Sequence, residues 1–220
     1  MDTPPRKDRS GRPRDPDVDR RITAAALQVF GRLGWSGFSM EAVARAAGVG
    51  KASLYLRWSS KEELLTEAVA SRFAPIAEID NGDVHTDLLE FADLLMELFH
   101  GPDGLAARRM AVESRLTPGI AERWQRVRES QIRASRAIVK RAVARGELSP
   151  HTPVSLLLDA LHGAVVNHSL AAPEHIRQQA AARRRYARRL VDFLLASLRA
   201  HTAERPGRAL EADVDSVTIR

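Results

Sequence analysis

An all-α fold, with a small helical head at the N-terminus and a larger helical body after it, is what this sequence predicts. Three observations predict it. Apolar residues recur at three- and four-residue intervals from about residue 18 to 201. No segment beyond residue 80 alternates apolar and polar residues as a strand does, and Gly or Pro punctuates the periodic stretches. The 220 residues are 44% hydrophobic and 28% charged, a balance that can bury a core and is not that of a disordered chain.

The elements follow in order. Residues 1–16 carry Pro4, Pro5, Pro13 and Pro16 among basic residues and read as a flexible arm. Ile22, Ala25, Ala26, Val29, Phe30 and Leu33 then make one apolar stripe of an amphipathic helix, which Gly34 is placed to stop as a left-handed C-cap. Ser39 can N-cap a second helix, with Glu41 in its first turn, Val43, Ala44 and Ala47 along it and Gly48 at its end. After Gly48-Val49-Gly50, a short helix runs from Lys51 to Trp58. Ser60 and Glu63 then fit a capping box that opens a fourth helix through Leu64, Leu65, Ala68 and Val69 to about Phe73. Longer helices are expected near 86–100, 104–116, 118–146, 152–171 and 177–201, separated by Gly101-Pro102, Thr117-Pro118, Gly146, Ser149-Pro150 and Pro173. Residues 203–220 lose the period and read as a frayed tail. The chain thus divides into an arm (1–16), a head (17–77), a body (78–202) and a tail (203–220).

Composition removes several function classes. There is no cysteine, hence no disulfide framework, no thiolate nucleophile and no cysteine-based zinc site. No stretch approaches the ~18 uninterrupted apolar residues of a membrane span, and the N-terminus lacks a signal-peptide core, so a soluble, cytoplasmic protein is expected. His162 and His168 share a helix but diverge around it, and no histidine pair has metal-ligand spacing. No glycine-rich phosphate loop or nucleophile elbow occurs. Neither a metal, a cofactor nor catalysis is expected. The charge, by contrast, points somewhere. Of 34 basic and 28 acidic residues, 11 and six lie in residues 1–60, so this first part holds +5 of the net +6. A polyanion-binding head on a near-neutral body has that distribution.

Two helices joined by a short glycine turn, the second brief, make a helix-turn-helix candidate over about residues 39–58. Ala44 is small where the helices cross, and Val49 and Leu54 can fill the wedge between them. With Leu54 and Trp58 turned inward, the helical period places Ala52, Ser53 and Leu56 outward, edged by Lys51, Tyr55 and Arg57. Such a strip suits a major groove: Ala52 and Leu56 can meet thymine methyls, and Ser53 a base edge or phosphate. Lys51, Tyr55, Arg57 and Lys61 would grip phosphates. Arg6, Lys7, Arg9, Arg12 and Arg14 of the arm would lie in a minor groove or along phosphates, or else form an unbound tail.

The same residues carry a resemblance. Phe30, Gly34-Trp35, Phe38-Ser39-Met40, Val43-Ala44, the run Ala47-Gly48-Val49-Gly50-Lys51-Ala52-Ser53-Leu54-Tyr55-Leu56-Arg57-Trp58, and Lys61-Glu62-Glu63-Leu64 resemble the DNA-binding head of the TetR regulators. Gly50 stands where that family more often has Ser, Trp58 where it has Phe, and Met40 where it often has Thr, so Ser39 is the better phosphate contact. The resemblance implies a homodimer that binds double-stranded DNA at a pseudo-palindromic operator, usually as a repressor. It also implies a body that binds a small-molecule effector. No motif of the body supports this, but its apolar residues offer candidates. Met96, Phe99, Met110, Trp124 and His162 would line an effector pocket or simply fill the core. Leu156, Leu157, Leu161 and Val165, with Leu190, Phe193, Leu194 and Leu198, would form a dimer interface or face the protomer's own core. The expected fold is therefore all-α, an N-terminal helix-turn-helix head plus a larger C-terminal helical domain for ligand binding and dimerisation. The expected function is sequence-specific transcriptional regulation and not catalysis. A helical-bundle enzyme and a nonspecific DNA-binding protein are the rival readings.

Overall fold

The computed structural model describes residues 16–177 and 179–203. The basic arm and the tail, and with them Arg6, Lys7, Arg9, Arg12 and Arg14, lie outside the described residues. Among those described there are helices and no strand. The head comprises α1 (Pro16–Gly37), α2 (Met40–Ala47), α3 (Lys51–Tyr55) and α4 (Lys61–Phe73). A 3-10 turn (Ala74–Glu78) leads into α5 (Val84–His100), α6 (Gly104–Glu113), α7 (Pro118–Ala144), α8 (Val154–Ala171), α9 (Glu174–Arg177) and α10 (Ala180–Ala203). The helix expected near 177–201 is α10, and a short turn, α9, precedes it. Pro173 starts a single turn, with its carbonyl accepting from Ile176 and Arg177 N–H, and α10 begins afresh.

Local chemistry fixes the head. Ile22, Ala25, Ala26, Val29 and Phe30 are buried as the stripe predicts, together with Leu27, whereas Leu33 is exposed. The reason lies one residue on, where Gly34 adopts φ 64°, ψ −171° and bends the chain out of the helix. The Trp35 N–H is thereby turned to Glu113 of α6, donating to its Oε2 at 2.8 Å, while Arg109 Nη1 holds the other carboxylate oxygen at 2.8 Å. Backbone of this shape is open to glycine almost alone, and a Cβ at Gly34 would lie 2.7 Å from Arg109 Nη1. Gly34→Ala is expected to destabilise the fold by about 1–3 kcal/mol, read as a lowered midpoint in urea.

The caps form much as the residues dictate. Ser39 Oγ accepts from Ala42 N–H at 3.2 Å, and Gly48 ends α2 in the left-handed conformation (φ 66°, ψ 38°) with Val49 N–H returned to Ala44 O. At α4, Ser60 Oγ accepts from Glu63 N–H, but the reciprocal bond lands one residue earlier than a capping box has it. Glu63 takes the N–H and the hydroxyl of Ser59, and these bonds hold its carboxyl below the usual range.

Head and body share one apolar core. α1 packs on α2, α4 and α6, while α4 lies along α7. Phe38 meets Phe30 edge-on at 6.0 Å and stacks on Trp35 at 5.9 Å. In the body, α5 packs between α8, α10, α6 and α7. Its buried Asp87 accepts from Asn81 N–H at 2.6 Å and faces Arg145 at 3.3 Å, tying the segment before α5 to the end of α7. By length and composition α8 is apolar enough to cross a membrane, a property that helices of protein cores share. Here it packs on α5 and α10, and its exposed side mixes Leu156 and Leu170 with Ser155, Asp159, His162 and Asn167.

The body corrects half of the expected interface. Leu157, Leu161, Val165 and Leu194 are buried in the protomer's own core, so they cannot face a second copy. The outward sides of α8 and α10 carry Leu156, Leu170 and Phe193 instead, with Leu190 and Leu198 half-buried between the two. Met96, Phe99, Met110 and Trp124 are likewise packed core residues, and His162 is an exposed ring resting edge-on against Phe99 at 5.5 Å.

Candidate nucleic-acid interface

α3 is five residues long and has little to hold it in place by itself. Gly50 caps its start without a side-chain bond, and its end is closed by Leu56 N–H to Ala52 O and by Trp58 N–H to Leu54 O. Its position comes from two inward anchors, Leu54 (0% exposed) and Trp58 (3%). Against them, Leu56 is 77% exposed and Tyr55 50% exposed. Ala52 and Lys51 are also exposed and Ser53 is half-buried. The structure thus presents the strip that the period predicted. Its small and apolar side chains, edged by Lys51 and Tyr55, have the chemistry to meet base edges in a major groove.

The charged edge is arranged less simply than the sequence suggests. Lys51 pairs with Glu41 of α2, an exposed pair that raises the lysine and lowers the carboxyl relative to their ordinary values, chiefly through their hydrogen bond. Its ammonium also lies 5.6 Å from the Tyr55 ring centre. Arg57, expected to grip a phosphate, is turned back: it pairs with Asp19 of α1 and donates to Ser53 O at 3.0 Å, with its side chain only 15% exposed. It clamps α3 to α1. Lys61 sits 3.9 Å over the Trp35 ring and donates to Phe38 O at 3.0 Å. Three ammonium protons leave it donors to spare, but its place is fixed from within. Ser39 Oγ accepts the cap bond from Ala42 N–H, and its hydroxyl also interacts with the Glu41 carboxylate. Gly50 faces open space, with nothing within 4 Å of an added Cβ.

Sequence reasoning did not find the partners that hold this surface: Asp19 for Arg57, Glu41 for Lys51, Trp35 and Phe38 for Lys61, and Glu67 for Trp58, whose Nε1–H it accepts at 2.9 Å. Only the Glu41–Lys51 pair lies within the motif itself; the others bridge elements whose proximity the fold creates.

Clefts among the described residues include one between head and body and one on the body. One, of about 550 Å³, separates α4 from α7 and is walled by Glu63, Glu67, Phe73, Arg123, Val127 and Gln131, among others. The second, of about 580 Å³, lies on α10 beside the end of α8, where His168 stacks on Tyr186 at 3.8 Å. Met96, Phe99, Met110, Trp124 and His162 line neither.

Comparison with known proteins agrees with this arrangement at both ends of the chain. Residues 22–68 match the family described as bacterial regulatory proteins, tetR family, and residues 78–194 match the tetracyclin repressor-like C-terminal domain. The chain is 32% identical over 146 residues to the HTH-type transcriptional regulator AqdR of Rhodococcus erythropolis, covering 66% of this chain and 70% of that one. It is 38% identical over 76 residues to the DNA-binding transcriptional repressor TetR of Mycobacteroides abscessus, covering 34% and 40%. Among solved structures, the transcriptional regulator FadR of Bacillus subtilis in complex with stearoyl-CoA superposes with a TM-score of 0.64 at 16% identity, over 80% of this chain and 97% of that one. A helix-turn-helix head with an outward strip on α3, on a helical body that matches its own family model, makes this chain a member of the TetR family of DNA-binding transcriptional regulators.

Proposed function

We propose that the chain is a cytoplasmic homodimeric repressor whose two α3 helices read the half-sites of a pseudo-palindromic operator, and that a small molecule bound in the body releases it. The observation that carries the reading is the outward strip of Ala52, Tyr55 and Leu56 on the second helix of a helix-turn-helix, seated by the buried Leu54 and Trp58. Ala52, Ser53 and Leu56 face the bases, and Ser39, Lys51, Tyr55 and Lys61 the phosphates, with Gly50 bringing the backbone close at the start of α3. Arg57 acts from behind, as the clamp on α1. A regulator, not an enzyme, is what such a surface serves.

Exposed apolar side chains on α8 and α10, set among arginines and other polar residues, supply the dimer contact. Leu156 (67% exposed), Leu170 (60%) and Phe193 (68%) lie on two helices that pack on each other. Two copies related by a two-fold axis bury such a patch against itself. The α4–α7 cleft is the natural effector site, since α4 belongs to the head and α7 to the body. A ligand wedged there acts on their relative position, to the extent that it binds one arrangement better than the other. The named repressor and the stearoyl-CoA complex among the relatives support both halves of this reading.

Selection of bound duplexes from a random pool tests it directly. The expected product is an inverted repeat whose half-sites are centred about one helical turn, ~34–36 Å, apart. A pool that yields no sequence, or only binding that fades uniformly with salt, returns the protein to nonspecific DNA association.

A further inference from the structure

We propose that Glu67 positions α3 through Trp58, and that occupancy of the α4–α7 cleft reaches the DNA-reading helix by competing for this one carboxylate. The proposal rests on the reading of α3 given above.

Trp58 is the inward anchor at the end of α3: its backbone N–H closes on Leu54 O at 2.8 Å and its side chain is 3% exposed. An indole carries one polar atom, and burying it without an acceptor is costly. Its acceptor is Glu67 Oε2, 2.9 Å away on α4. A phenylalanine at this position would need no such partner. Glu67 is not sealed in; it is exposed along the cleft and forms part of its wall. Glu63, the other carboxylate of the wall, is already held by Ser59. Across the cleft stand Arg123, Arg126 and Gln131, so an occupant that reaches Glu67 with a cationic group must also bring an anionic or hydrogen-bond-accepting part to face the arginines. A protonated amine entering the cleft is a stronger partner for a carboxylate than a neutral indole N–H. Once Glu67 turns to it, Trp58 keeps a buried, unpaired donor, and α3 loses the bond that seats its end.

Ser71 allows the competition to be staged without a ligand. It is exposed, lies on the same cleft wall and follows Glu67 by four residues, the favourable order for a Glu–Lys pair on a helix. In the full chain, each of the three tryptophans gives one indole N–H resonance in a ¹⁵N–¹H spectrum, and Trp58→Phe identifies its own. Glu67→Ala and Ser71→Lys should move the Trp58 resonance upfield. Ser71→Met should leave it in place, and Glu67→Gln, which keeps an acceptor oxygen, should move it least. On the duplex recovered by selection, Glu67→Ala and Ser71→Lys should weaken binding roughly tenfold, the latter despite its added positive charge, with Glu67→Gln and Ser71→Met within about twofold of wild type. In a Trp58→Phe background, Ser71→Lys should have no further effect. An unmoved resonance in both Glu67→Ala and Ser71→Lys, or an equal loss from Ser71→Lys with and without Trp58, overturns the proposal. A wild-type chain that binds no duplex overturns the reading of α3 and the DNA half of this proposal. The resonance decides the Glu67–Trp58 half on its own.

Discussion

Leu56→Asp is expected to fold as the wild type does and to bind the selected duplex about a hundredfold more weakly, a loss of ~2.7 kcal/mol. The side chain is 77% exposed, so its replacement falls in the class of surface changes worth within about 0.5 kcal/mol of stability. Leu54 and Trp58, which seat the helix, are untouched. In the complex the situation reverses. A carboxylate at this place faces acceptor-rich base edges between two rows of phosphates, and juxtaposed like charges at a desolvated contact cost several kcal/mol. Anisotropy titration on a labelled duplex, with thermal melting in parallel, separates the two effects. A melting temperature close to wild type with unchanged affinity would mean that this side of α3 meets no DNA.

What was legible in the sequence was what short range decides. Ser39 capping Ala42 N–H, Gly48 ending α2 and Ser60 capping Glu63 N–H are relations over three to five residues, and each is found where the residue types place it. The outward strip of α3 follows from the helical period once Leu54 and Trp58 are assigned inward. Long-range pairings were not legible. Arg57 reads as a free cation until α1 brings Asp19 beside it, and nothing near Trp35 announces that its N–H will be taken by Glu113, 78 residues away. Phase failed where the pattern was too rich. α8 is rich in apolar residues on more than one side, so the stripe Leu157–Leu161–Val165 and the neighbouring set with Leu156 and Leu170 both follow the helical period. Only packing on α5 tells which is inside. The α4–α7 cleft belongs to two helices more than 40 residues apart, so it could not be read from the residues of either.

Phe193→Glu is expected to convert the protein to monomers and to lower operator affinity by two orders of magnitude or more. Phe193 is 68% exposed on α10, so the isolated protomer loses little burial by the change. Across a two-fold axis the same residue enters twice, and burying one phenylalanine side chain is worth about 1.5–3 kcal/mol. A glutamate removes this twice over and leaves two carboxylates to be desolvated near each other. The consequence for DNA is one of effective concentration. With two heads on one body, the second half-site is bound from an already tethered state, an advantage of about 10²–10⁴ that separate heads forfeit. The variant should therefore elute at the mass of one chain and melt at a temperature independent of protein concentration, whereas the wild type should not. It should bind one half-site as weakly as the other, without the gain from the palindrome. If Phe193→Glu remains dimeric, the contact lies elsewhere. If it is monomeric yet binds the full operator as tightly as wild type, the two-headed geometry itself fails, because a five-residue helix read once cannot supply that affinity.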